Sequence, residues 1–480
     1  MSEIENKTQE KRRLAKEEEA KNKRKSTWLK IGAVVFVLVF AFLAVYESSF
    51  IARVLPAAEV KDTKYTVAEY NWLYTTSYYE IYNNIYQQYG NYASMILDTS
   101  KSLKKQKFSE EQTWADYIKD YTDKTLITMT ALYDEAKANE YVLPDSYTDS
   151  MTQELANMEA SAKENGVTVD SLLATNYGRG VNKKVYEEMY LRYVYAYAYG
   201  DSVNEGFDIT PEEIDARYNK DKTVYDRVTY KYYLVEKEST EGVSDEQAMA
   251  DAKAKAEAAL AAEDTEAYVS SEFGAAMNEA RYAGHSGINS AFADWLFEDS
   301  RKEGDKDVFE GTNGYYVVIF ERKEDLHYNM VSVRHILVKP KDTSSDASWD
   351  EAYKKAEEYL NTAKSLGGSA ENFGYVAMAY SEDSGSKANG GLYSNIAKGQ
   401  MVQEFEDWCF DPARKEGDTD IIKTQYGWHI MYFVSTDEEY YTYAVDSDIR
   451  GEKYSEYLEG IKADYSLKDG SGKFMVGSHT

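Results

Sequence analysis

Part of this chain repeats, and the repeat constrains the fold more than any other feature. The run VTYKYYLV at 228–235 parallels VSVRHILV at 331–338 at an offset of 103 residues. Three later matches hold at an offset of 113: FADWLF at 292–297 with FEDWCF at 405–410, RKEGD at 301–305 with RKEGD at 414–418, and NGYYVVIF at 313–320 with YGWHIMYF at 426–433. Each copy opens and closes on a run that reads as a strand, with helix-period sequence between. The chain is therefore read as carrying two small domains of one frame in tandem, at 224–325 and 328–437. The first copy has ten fewer residues between its opening strand and its later helix.

The second copy holds the residues that suggest chemistry. His335 lies on its opening strand, read as half-buried, and His429 on its closing strand. Between them come Phe373-Gly374, the segment Tyr380–Lys387 with Asp383, the pair Gly390-Gly391, then Gly399-Gln400-Met401 and Phe405. Taken in this order, the blocks resemble the parvulin (PpiC-type rotamase) family of peptidyl-prolyl cis/trans isomerases, over about 100 of the 480 residues. The resemblance implies an α+β domain, a small antiparallel sheet surrounded by helices. It implies catalytic roles for His335, Asp383, Thr424 and His429, and a substrate-binding set of Met401, Phe405, Gln400 and Tyr393. It implies no cofactor and no metal.

Such a reaction needs no nucleophile. The barrier to rotating an X–Pro bond is ~18–20 kcal/mol because twisting breaks amide resonance. A site must favour the twisted amide over both planar forms. Met401 and Phe405, four apart, are expected on one helix face as a slot for the proline ring. Asp383 falls where some parvulins carry cysteine and others aspartate, which points to electrostatics rather than covalent catalysis. Plainer readings stand beside these. A histidine pair on strands can be a structural network, Met401 and Phe405 can be core, and Asp383 can be a turn residue. The loop 339–347 has two lysines, no arginine and two acids, which argues against a site that selects phosphate.

In the first copy Tyr232 stands for His335, Tyr316 for His429 and Ile288 for Met401, and Phe292 alone is kept. It is read as a parvulin-like domain that has lost its active site.

Ahead of the repeat, residues 61–220 read as mostly helix. Tyr74, Tyr78, Ile81 and Ile85 form one stripe, and Tyr186, Tyr190, Tyr193 and Tyr197 another. The helix-rich layout resembles the N-terminal chaperone region of foldases of the SurA and PrsA type. The tyrosine stripes are either bundle core or an amphipathic cradle for unfolded chains. Thr210-Pro211-Glu212-Glu213 is a capping box opening a helix to Tyr218.

The run Trp28–Tyr46 is apolar apart from Lys30. At ~1.5 Å per residue it is long enough to span a bilayer core. Basic residues precede it in the tail 1–27, so the expectation is a single transmembrane anchor with the N-terminus cytoplasmic and the bulk of the chain outside. Residues 47–60 are expected to be a linker. At 438–480 a helix over 449–465 and a disordered end are expected, and the resemblance to SurA-like proteins implies the option that this segment packs back on the N-terminal region.

The net charge of −29 makes nucleic acid a poor partner, and a single cysteine excludes an internal disulfide. The resulting expectation is an extracytoplasmic isomerase and chaperone. Its partners would be unfolded or nascent secreted polypeptides containing X–Pro bonds, and the membrane through one helix. The alternatives are a non-catalytic holdase and a surface scaffold.

Overall fold

The computed structural model describes residues 49–238 and 241–477. The expected tail 1–27 and anchor 28–46 lie outside them. Among the described residues no helix is long and apolar enough to cross a membrane. The chain divides into two units: one reaches to Phe207 and resumes at Glu452, and the other is Asp208–Gly451.

The first unit begins with a short helix, Ser49–Val54, and two antiparallel strands, β1 (Pro56–Val60) and β2 (Thr63–Thr66). The described part of the expected linker, residues 49–60, is thus a helix and a strand. Thr66 and Thr113 each close a capping box, with Glu69 and Asp116, and start the helices Val67–Tyr89 and Trp114–Ala138. Asn182 caps a third long helix, Lys183–Glu205.

Both tyrosine stripes turn inward. Tyr74, Ile81 and Tyr186 are buried, and Tyr78, Ile85, Tyr190, Tyr193 and Tyr197 pack against the same core. Trp72 sits among Tyr177, Tyr186 and Tyr193 with ring centres 6.0–6.3 Å away. A tyrosine-rich core needs partners for its hydroxyls. Tyr70 donates to Asp123 at 2.7 Å, Tyr121 to Glu80 at 2.8 Å and Tyr195 to the Tyr141 carbonyl at 2.9 Å.

The second unit starts with the helix Pro211–Lys220, whose N-cap Thr210 forms the expected box with Glu213. The two repeat copies then build two four-stranded sheets. The first has β3 (Arg227–Glu236), β4 (Asn278–Gly284), β5 (Lys306–Gly311) and β6 (Gly314–Lys323), in the order β4-β3-β6-β5. The second has β7 (Asn329–Val338), β8 (Leu392–Ile396), β9 (Thr419–Thr424) and β10 (Gly427–Glu439), in the order β8-β7-β10-β9.

The registers agree residue for residue. His335 faces Met431 across β7 and β10, and Tyr232 faces Val318 across β3 and β6. The same bulge recurs in β4 and β8, where Tyr282 and Asn395 have φ of 47° and 52°. Asn395 donates its N–H to Ser332, and Tyr282 to Thr229, both at 3.2 Å. The copies differ in what precedes the second strand. The helix Ala370–Tyr380 is followed by the long segment Ser381–Gly391, but the helix Thr265–Phe273 only by Gly274–Met277.

The second sheet is covered on both faces, so β7 is buried rather than half-buried. Ile336, Val338, Ile430 and Tyr432 point toward the helices Asp346–Ser365 and Ala370–Tyr380. Val331, Val333, Met431 and Phe433 point the other way, onto the helix Gln403–Cys409. By strand alternation His335 and His429 share this second face.

The chain returns to the first unit through the helix Tyr440–Lys462, which begins well before the expected 449. β11 (Leu467–Asp469) then pairs with β1. The expectation of a disordered end fails here. Its polar composition hides a strand with a free partner edge, and Lys473, 7% exposed, finds the Asp123 carboxylate.

Candidate active site

Both histidines are buried, His335 at 3% exposure and His429 at 6%. Their rings stack with centres 5.2 Å apart. The Nδ1 atoms are 3.1 Å apart, His335 Nε2 is 2.9 Å from Asp383 Oδ2, and His429 Nε2 is 2.9 Å from Thr424 Oγ1. The contacts fit the following proton order. Thr424 donates to His429 Nε2, His429 donates through Nδ1 to His335 Nδ1, and His335 donates through Nε2 to the Asp383 carboxylate.

Burial, reinforced by His335, lowers the pKa of His429 from 6.5 to about 3, so its ring stays neutral. The hydrogen bond from His335 holds the Asp383 carboxyl well below the usual carboxylate range. Asp383 also accepts from the Ser386 hydroxyl and, at 3.1 Å, from Tyr393. Burial and the Asp383 charge push the Tyr393 phenol up to about 12.

Glycine sets the spacing of this network. Gly391 has φ +73°, and a Cβ there would strike the His335 carbonyl oxygen. Its own carbonyl accepts the His335 N–H at 2.8 Å. This close approach brings β8, and with it Tyr393, against His335.

A cavity of about 370 Å³ opens over the pair. It is lined by His335, His429, Asp383 and Tyr393 on one side and by Gln400, Met401, Val402 and Phe405 on the other. Phe405 stands edge-on to both imidazoles with ring centres 5.4 Å away. The expected site residues are therefore brought together, with Thr424 behind His429 rather than in the lining. One expectation is corrected. Met401 is not on a helix with Phe405, because Val402 is extended (φ −62°, ψ 149°) and the helix starts at Gln403. Met401 reaches the cavity from the preceding loop.

Ser386, Leu337, Lys339 and Tyr426 were not singled out from the sequence. Ser386 lies inside a motif block whose residue types suggest a turn, Tyr426 opens the run read as the closing strand, Leu337 lies on the strand that carries His335, and Lys339 follows it directly. Cys409 is buried, and burial raises its thiol to about 12, so it is an inert core group.

Residues 319–436 match the family described as PPIC-type PPIASE domain. The chain carries a parvulin-type domain. Part of it is similar to the SurA and PrsA foldases. Chaperone SurA of Pseudomonas putida is 32% identical over 157 residues, covering 31% of this chain and 35% of that protein. Foldase protein PrsA 3 of Bacillus cereus is 37% identical over 101 residues, covering 21% and 30%. The chain thus spans about a third of the length of these curated relatives. Among solved structures, PrsA from Bacillus subtilis aligns over 86% of this chain and 91% of its own at 14% identity, with a TM-score of 0.23 that does not establish a common overall fold.

In the first copy the corresponding space is filled. Tyr232, Tyr316, Phe292 and Phe309 pack together, with Phe292 centred 5.3 Å from Tyr316 and 5.8 Å from Phe309. Ala280 takes the register position of Tyr393.

Proposed function

We propose that this protein is an extracytoplasmic peptidyl-prolyl cis/trans isomerase and chaperone that assists the folding of secreted proteins. The observation that carries the reading is the cavity itself: an apolar slot of Met401 and Phe405 faces a buried histidine pair and a fixed carboxylate. The substrates would be unfolded polypeptides with X–Pro bonds, whose uncatalysed isomerisation takes ~10–100 s at 25 °C.

The proline ring would enter against Phe405 and Met401, and Gln400 and Tyr393 would hold the backbone on either side. A planar amide places negative charge on its oxygen, and twisting returns that charge to nitrogen. Asp383 on the oxygen side disfavours the planar forms relative to the twisted one. The pair His335–His429, anchored by Thr424, orients Asp383 and keeps the slot dry.

The remaining parts take the following roles in this reading. Residues 61–220 form the chaperone region, 224–325 the inactive parvulin-like domain, 328–437 the active one, and 438–480 the closing helix and tail. A cavity of about 520 Å³ lined by Tyr133, Tyr195, Met189, Lys137 and Arg192 supports a client-holding role for the helical region. The apolar run Trp28–Tyr46 supports a single-pass anchor that holds the protein at the membrane with the N-terminus cytoplasmic.

The test is isomerisation of a short unphosphorylated Ala-Pro peptide by the purified protein. Acceleration by the wild type that falls in a folded His429→Ala variant is expected. No acceleration, with aggregation of an unfolded client still delayed, would leave the holdase alternative in its place.

A further inference from the structure

The bulge of β4 in the first copy presses against the loop that carries Gln400 and Met401 in the second. Glu406 is 3% exposed and lies on the same helix as Phe405. One of its oxygens accepts from Arg281 Nη2 at 3.1 Å, and the other accepts the N–H of Gly399. Gly399 has φ +85°, and a Cβ there would fall 2.5 Å from Tyr282 Cβ and 3.2 Å from the Arg281 carbonyl. Lys398 lies over the rings of Tyr328 and Tyr282 at 4.7 and 6.0 Å.

Tyr282 adds a second, independent observation. Its φ of 47° is an outlier for an aromatic residue. At the same bulge the second copy has Asn395, a residue type that tolerates this conformation. The first copy keeps the unfavourable choice, and the tyrosine's Cβ and ring are what meet Gly399 and Tyr328.

We propose that Arg281 and Tyr282 are positioning residues for the proline slot. The first copy, with tyrosines where the second has His335 and His429, holds the Gly399–Met401 loop of the second through Glu406 and Gly399. Arg281 offsets the cost of burying the Glu406 carboxylate, whose other hydrogen bond comes from the Gly399 amide. Turnover at the second copy then depends on a domain that touches no substrate. This rests on the isomerase reading for its kinetic consequence, but the positioning itself does not.

The test uses the full chain with ¹³C-labelled methionine methyls, Met401 being assigned from a Met401→Leu variant. Arg281→Ala is expected to move the Met401 signal and to lower kcat/KM roughly tenfold, a fraction of what a full 1 Å misplacement costs. Arg281→Lys is expected to restore most of both. Lys231→Ala, which breaks ion pairs of Lys231 with Glu266 and Glu321 inside the first copy, is expected to change neither. Should Arg281→Ala fail to fold, Tyr282→Gly is read instead, with the same expected movement. An unmoved Met401 signal and a kcat/KM within about twofold in the folded variants would overturn the proposal. A wild type without turnover would overturn the isomerase reading alone, since the methyl signal still reports the loop.

Discussion

His335 and His429 meet through their Nδ1 atoms, 3.1 Å apart, and neither imidazole has a second solvent-facing nitrogen. Each Nε2 is taken, one by Asp383 and the other by Thr424. The pair is thus a link in a four-residue chain that runs from Thr424 to Asp383.

The first prediction concerns acid. The folded state holds His429 near a pKa of about 3 against 6.5 when unfolded. Between these values the unfolded chain binds the extra proton, so stability falls as pH drops. Asp383, held low by His335, adds loss of the same sign below pH ~4. Stability from this pair of groups is complete above pH ~6.5 and declines by on the order of 4 kcal/mol toward pH 3. Denaturant unfolding across pH 4–8 measures the slope. His429→Asn should flatten its upper part, and an unchanged slope in that variant would count against a neutral buried ring.

Met401 and Phe405 should separate activity from stability. Phe405 is 3% exposed and touches both imidazoles, so Phe405→Ala is expected to cost about 3–5 kcal/mol as well as activity. Met401 is half-buried on a loop, so Met401→Ala should cost about 1–2 kcal/mol yet lower kcat/KM by ~10-fold or more. Urea melts beside peptide kinetics decide this. A Met401→Ala variant with wild-type kcat/KM would remove the loop from the slot.

Asp383→Asn keeps the size and removes the charge. The expected result is a folded protein with kcat/KM lower by roughly 10–100-fold. Asp383→Cys should retain more activity than Asp383→Ala, because a thiol can still accept from His335. Equal rates in wild type and Asp383→Asn would leave the carboxylate with a structural role alone.

Lys473 predicts a stability effect far from the cavity. It is 7% exposed, pairs with Asp123 and lies 4.2 Å from the Tyr70 ring centre. Lys473→Met keeps the packing but leaves Asp123 without its cation, and is expected to destabilise the first unit by about 1–3 kcal/mol. Fluorescence of Trp72 and Trp114, both in that core, follows it during unfolding. Peptide turnover should be unchanged.

The sheet frame was legible because strand register is local arithmetic. Offsets of 103 for the opening strand and 113 for the closing one carry His335 and Met431 onto Tyr232 and Val318, and the two registers pair them in the same way. The residues around the cavity were legible only through their family pattern, since His335 and Asp383 are 48 apart and nothing local joins them. Three things stayed hidden. The extended Val402 interrupts what reads as one helix face. Arg281 and Glu406 are ordinary charges 125 residues apart until the fold pairs them. Tyrosine stripes fit a core and a groove equally, and only the burial of Tyr74, Ile81 and Tyr186 tells the two apart.

The closing strand has a consequence for the order in which the protein is finished. β1 leaves the ribosome well before its partner β11, and the amide of Gly477 reaches Asn71 across 406 residues of chain. Closing so long a loop is entropically unfavourable and slow when its ends start apart. The second unit, Asp208–Gly451, lies wholly inside that loop and is made before the loop can close. The helical unit waits with an open sheet edge until the tail arrives. During synthesis the domain with the prolyl-isomerase fold is complete before the unit that encloses it in sequence.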